Sequence, residues 1–155
     1  MNRMKRTRES RNGRRSPPGE IRKLAWFRYG LRKYIRFSEQ AARAAGITPQ
    51  QHQLLLGIGG YTGRGWATIS ELAEFLQERH NAVVGLVVRA ARKGLVRKVQ
   101  EGSDRRFVRV TMTAKGDSLL RKLSELHHRK LASFPAQLIA AYQSGPKMIR
   151  QAKGA

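Results

Sequence analysis

Between Thr68 and Thr113 the chain carries so many start and stop signals that few folds can accommodate them. Thr68-Ile69-Ser70-Glu71 has the residues of a capping box, and it opens a short helix that runs through Leu76. A further helix fits Asn81 to Lys93, and Gly94 stops it. Leu95 to Gln100 and Arg105 to Met112 then read as two strands around a turn of Gly102, Ser103 and Asp104. Val108, Val110 and Met112 alternate with Phe107, Arg109 and Thr111 at the period of a half-buried strand. Two short helices joined by a tight turn form a helix-turn-helix, and here a basic β-hairpin follows it.

The flanks are helical. From Ile21 to about Ala45 apolar residues such as Leu24, Phe27, Leu31, Tyr34 and Ala42 recur at helical spacing until Gly46. Thr48-Pro49-Gln50-Gln51 offers a cap, a proline at the first helical position and a glutamine to complete the box, predicting a helix to about Ile58. The glycines at 57, 59, 60, 63 and 65 fit neither a dinucleotide fingerprint nor a phosphate loop, so "GIGGYTGRGWAT" is expected to be a flexible connection. After Thr113 a stripe of Leu119, Leu120, Leu123, Leu126, Leu131 and Phe134 predicts a long helix up to Pro135, followed by a short helical segment, Ala136 to Tyr142.

Charge narrows the partners. Thirty-two Lys and Arg against ten Asp and Glu give a formal charge of +22 over 155 residues, and the self-repulsion this imposes is relieved by a polyanion. Nucleic acid is therefore the leading partner class. No apolar run approaches the roughly 18 residues of a membrane span, and the N-terminus has no apolar signal region, so no membrane partner and a cytoplasmic, nucleoid-associated location are expected. The chain has no cysteine, which removes disulfides, thiolate zinc sites and thiol redox sensing. The histidines at 52, 80, 127 and 128 do not form a metal-binding pattern, and no cofactor is implied. Acidic residues are scarce and no nucleophile–base arrangement can be assembled, so no enzymatic activity is expected.

The ordered motifs within 68–116 resemble the MarR family of transcriptional regulators. Leu72-Ala73-Glu74, Gly94-Leu95-Val96, Asp104-Arg105-Arg106 and Met112-Thr113-Ala114-Lys115-Gly116 match that family's pattern in order, with methionine where the family has leucine. With the flanking helices the resemblance covers about residues 21–142. It implies a mainly α fold with a small β-hairpin wing (α+β): a winged helix-turn-helix with flanking dimerisation helices. The corresponding division is a disordered basic arm at 1–20, a DNA-binding core at 48–112, dimerisation helices at 21–45 and 113–142, and a basic tail at 143–155.

The DNA-binding candidates follow from this arrangement. The start of a recognition helix enters the major groove, which selects Arg79, His80 and Asn81 for base edges, asparagine suiting adenine and arginine guanine; the alternative for His80 and Asn81 is ordinary helix capping. Val84 suits a thymine methyl, and Gly85 either permits close approach or is simply tolerated. Arg89, Arg92, Lys93, Arg97 and Lys98 are better placed as phosphate clamps than as base readers. Residues 79–115 hold ten Lys and Arg against Glu101 and Asp104, a local excess that favours contact with DNA over a merely solvated face. At the wing tip the resemblance implies an arginine in or along the minor groove, with Asp104 orienting it. Either Arg105 or Arg106 can take the groove, with Arg106 preferred.

The same resemblance implies a homodimer on double-stranded DNA, a pseudo-palindromic operator, and a small aromatic effector held between the dimerisation helices and the winged domain. Trp26, Phe37, His52 and Trp66, with Phe27 and Tyr34, are the candidates for such a cavity; aromatic residues at helical spacing also serve as plain core. The rival reading is an architectural nucleic-acid-binding protein with little sequence preference, which the basic arm favours.

Overall fold

A computed structural model of the chain describes residues 18–100, 108–132, 134, 136 and 138–140. The basic arm, the wing tip at Asp104, Arg105 and Arg106, and the basic tail lie outside the described residues. The chain falls into two compact units, Leu31–Pro135 and a second made of Met1–Gly30 with Ala136–Ala155.

Helix α1 (Pro18–Ala44) starts three residues before the position expected from its apolar periodicity. It ends where Gly46, at φ +80°, takes the left-handed conformation that lets the Ile47 N–H reach the Ala42 carbonyl (3.1 Å). Helix α2 (Pro49–Leu56) has the complete capping box at Thr48 and Gln51. The expected flexible connection is instead ordered over much of its length, because α2 continues into a π-helical turn, Gly57–Tyr61, and the segment ends in strand β1 (Trp66–Thr68). Packing explains the glycines. A Cβ on Gly57 would come within 2.9 Å of the Phe75 ring, and one on Gly59 within 2.9 Å of Leu120, so the turn closes against these side chains.

Helices α3 (Ile69–Leu76) and α4 (His80–Arg92) follow, joined by Gln77, Glu78 and Arg79. Gln77 sits at φ 54°, which lets the Glu78 N–H bond to the Ala73 carbonyl and turns the chain sharply. Strands β2 (Val96–Gln100) and β3 (Val108–Met112) form the hairpin, but β1 also joins, so the sheet has three antiparallel strands in the order β1-β3-β2. The register sets Trp66 opposite Thr111 and Thr111 opposite Arg97. Helix α5 (Ala114–Leu131) starts at the Thr113 cap. Beyond it, Phe134, Ala136 and residues 138–140 are helical.

One core holds the described residues of the larger unit together. Leu54, Leu55 and Ile58 from α2 and its extension pack with Leu72, Val83, Val87, Leu95 and Val110, all essentially inaccessible to solvent. In α4 the buried set is Val83, Leu86, Val87 and Ala90, so one stripe anchors the helix and the remaining faces are set outward. In the other unit Trp26 packs edge-on against Tyr29 at 5.5 Å, and Gly30 lies against Leu138.

Candidate nucleic-acid interface and the cavity beside it

Helix α4 begins without a side-chain cap. Its N-cap is Arg79, whose backbone is extended but whose side chain makes no capping bond, whereas α2, α3 and α5 each start at a threonine that does. His80 and Asn81 are thus the first two helical residues rather than caps, which removes the capping alternative for both. Arg79, His80 and Asn81 are exposed, and Val84 and Gly85 are half-buried one turn on. Uncapped backbone N–H groups carry the positive end of the helix dipole, so this polar, cationic corner is suited to an anion.

The other candidates on this side occupy two surfaces. Arg89 is exposed on α4, and its Nη1 lies 3.2 Å from where a Cβ on Gly85 would stand. The glycine therefore makes room for a guanidinium folded back toward the helix start. Arg97 and Lys98 are exposed on β2, and the Arg97 Nε donates to the Thr111 hydroxyl at 3.4 Å.

The candidate effector residues do not form one group. His52 lines a cavity of about 330 Å3 between α1, α2 and α5, together with Tyr34, Ser38, Gln53, Ser124 and His127. Phe37 stands behind it, its ring 5.4 Å from that of His127. Trp66 is on β1, stacked between the guanidinium groups of Arg64 (3.9 Å) and Arg109 (4.1 Å). Trp26 belongs to the other unit.

His127, which sequence reasoning weighed only as a metal ligand, is the centre of the cavity wall. Its Nδ1 lies 2.6 Å from the Leu123 carbonyl, which can only accept, so Nδ1 carries the proton. Nε2 shares a hydrogen bond with the Ser38 hydroxyl at 2.9 Å. The His52 ring lies 4.9 Å away, and burial, with the proximity of His127, pushes the His52 imidazole down to about 4. Burial also pushes the Tyr34 phenol up. At neutral pH the His52 imidazole is uncharged and the Tyr34 phenol keeps its proton, so both face the cavity as neutral hydrogen-bonding groups. Among the described residues no cluster of three His, Cys, Asp or Glu side chains is suited to a metal ion. Nor is any described helix long and apolar enough to cross a membrane.

Residues 45–106, from the end of α1 to the wing, match the model of the MarR family. The matched stretch is less than half of the chain, and its described residues hold the helix-turn-helix and the first strand of the hairpin. The fold extends beyond the matched segment. A mutant of the Staphylococcus aureus regulator MepR bound to an oligodeoxyribonucleotide is similar over 84% of this chain and 89% of its own, with 19% identity and a TM-score of 0.60. AbsC, a MarR family transcriptional regulator from Streptomyces coelicolor, is similar over 86% of this chain and 95% of its own, at 19% identity and a TM-score of 0.62. Bordetella bronchiseptica BpsR, whose DNA binding is regulated by 6-hydroxynicotinic acid, is similar over 83% and 90%, at 19% identity and a TM-score of 0.57. No curated protein sequence matches the chain.

Proposed function

We propose that the chain is a sequence-specific, double-stranded DNA-binding regulator that acts as a homodimer on a pseudo-palindromic operator and represses by occupying a promoter. The observation that carries this reading is the start of α4, uncapped and exposed, with Arg79, His80 and Asn81 presented together. His80, Asn81 and Val84 read base edges, while Arg89, Arg97 and Lys98 hold phosphates. Asp104 orients an arginine of the wing tip, Arg105 or Arg106, toward the minor groove.

Dimerisation is supported by apolar side chains left in solvent. On α1, Ile21 (57%), Leu24 (51%) and Ile35 (54%) are exposed, an arrangement that a monomer in water does not favour. A two-fold dimer would set its half-sites about one helical turn, roughly 34 Å, apart. The cavity beside His52 and His127 is of a size for a small aromatic effector, in line with the regulation of BpsR by 6-hydroxynicotinic acid.

Selection of genomic fragments by the full chain at physiological salt tests the reading. An inverted repeat should emerge, enriched over random DNA by about three orders of magnitude. Fragments sharing only base composition would instead support an architectural nucleic-acid-binding protein, a reading that the +22 charge also favours.

A further inference from the structure

A second concavity, of about 630 Å3, lies where the end of α1, the end of α4 and the first turns of α5 converge. Its chemistry is the opposite of the His52 cavity. Arg92, Lys93, Lys115 and Lys122 stand around it, and no carboxylate is among the residues that line it. Ile47 and Leu95, both buried, supply an apolar floor.

Two of the four cations are fixed in place. The Lys93 Nζ donates to the Gly46 carbonyl at 2.8 Å, and the Lys115 Nζ donates to the Lys93 carbonyl at 2.9 Å. These bonds cap the ends of α1 and α4, which is a sufficient structural reason for the two lysines. A carbonyl carries no net charge, however, and each ammonium keeps further donors, so both charges remain uncompensated at set positions. Arg92 and Lys122 make no hydrogen bond or ion pair among the described residues, so helix capping does not account for them. Nearby Asp117 is directed elsewhere, accepting from the Arg121 Nε at 2.8 Å.

We propose that this concavity is a binding site for a small organic phosphate, the phosphate held by Arg92, Lys93, Lys115 and Lys122 and the apolar body lying over Ile47 and Leu95. Four cations around one hollow call for more than a single negative charge, and a phosphate monoester carries about −1.5 to −2 at pH 7. Arginine and lysine both bond phosphate oxygens through charge-assisted hydrogen bonds. A volume of about 630 Å3 falls in the ordinary range of small-molecule pockets. None of its four cations is a proposed base reader, but Arg92 and Lys93 are also candidates for DNA phosphates, so the test has to separate the two roles.

The test is calorimetric titration of the full chain, without DNA, at about 0.15 M salt, using phenyl phosphate and inorganic phosphate as probes. Saturable binding of one phenyl phosphate per chain is expected, tighter than that of inorganic phosphate because of the apolar floor. Arg92→Ala combined with Lys122→Ala should weaken it by about tenfold or more. Arg36→Ala combined with Arg129→Ala removes the same charge from exposed positions outside the cavity and should change it by less than about twofold. Equal weakening by both pairs would reduce the site to diffuse attraction by a cationic protein and overturn the proposal. So would unchanged phenyl phosphate binding in the Arg92/Lys122 pair with a fall in DNA affinity, since these cations would then be DNA-backbone contacts. An unchanged melting temperature in each variant secures the comparison.

Discussion

Helices α4 and α5 bracket the wing, and their first turns are built in opposite ways. At the start of α5 the Thr113 hydroxyl accepts from the Gly116 N–H (3.1 Å) and donates to the Gly94 carbonyl (2.6 Å), while the Thr113 N–H donates to the Leu95 carbonyl (3.0 Å). Gly116 is buried there, and a Cβ would collide with the Leu95 carbonyl oxygen. At the start of α4 no side chain caps the helix and three polar residues face solvent. One junction secures helix to strand. The other forgoes about 1 kcal/mol of capping and keeps its backbone N–H groups available. Stability is concentrated at the end of the wing, and the proposed recognition surface lies at the start of the helix before it.

The largest test of this contrast is Gly116→Ala. Overpacking against backbone should cost about 3 kcal/mol and lower the thermal midpoint by about 10 °C. A midpoint within 2 °C of the parent, on the order of 0.5 kcal/mol, would mean the junction is not tight and the contrast fails. Next, His80→Ala combined with Asn81→Ala should lower affinity for the selected operator by about 10- to 100-fold with little change in stability. Competition binding against random DNA checks this, and equal losses on both DNAs would remove these residues from base readout. Thr113→Ala should cost about 1 kcal/mol in urea denaturation and leave specificity alone. Last, Arg79→Ser would install the missing cap. It should raise stability by about 0.5–1 kcal/mol and weaken DNA binding together, and a stabilised variant with undiminished affinity would show that the open helix start contributes nothing to recognition.

Much of the frame was legible because its signals are local. Thr48, Thr68 and Thr113 announce their helices by residues within the same turn, and Gly94 ends α4 at φ +71° as a C-terminal glycine should. The segment after α2 was misjudged for the opposite reason. Gly57 and Gly59 read as breakers along the sequence, but they are small because Phe75 and Leu120 arrive from distant positions. Strand β1 is only three residues long and exists through pairing with Arg109, Val110 and Thr111, which no local period can announce. The cavity was half legible. His52 was selected with the aromatic candidates, yet the wall beside it depends on a bond between His127 and Ser38, 89 positions apart. Trp66 was chosen for its aromatic surface, and both of its faces are covered by arginines.

The strand order β1-β3-β2 also bears on how the molecule behaves when crowded. With β3 in the middle, the sheet's open borders belong to β1, too short to template much, and to β2, where Arg97 and Lys98 are exposed. Short or charged borders discourage a second molecule from adding its own strand. Copies gathered along a nucleic acid would therefore be protected against growing into sheet-linked filaments, even at local concentrations far above those in free solution.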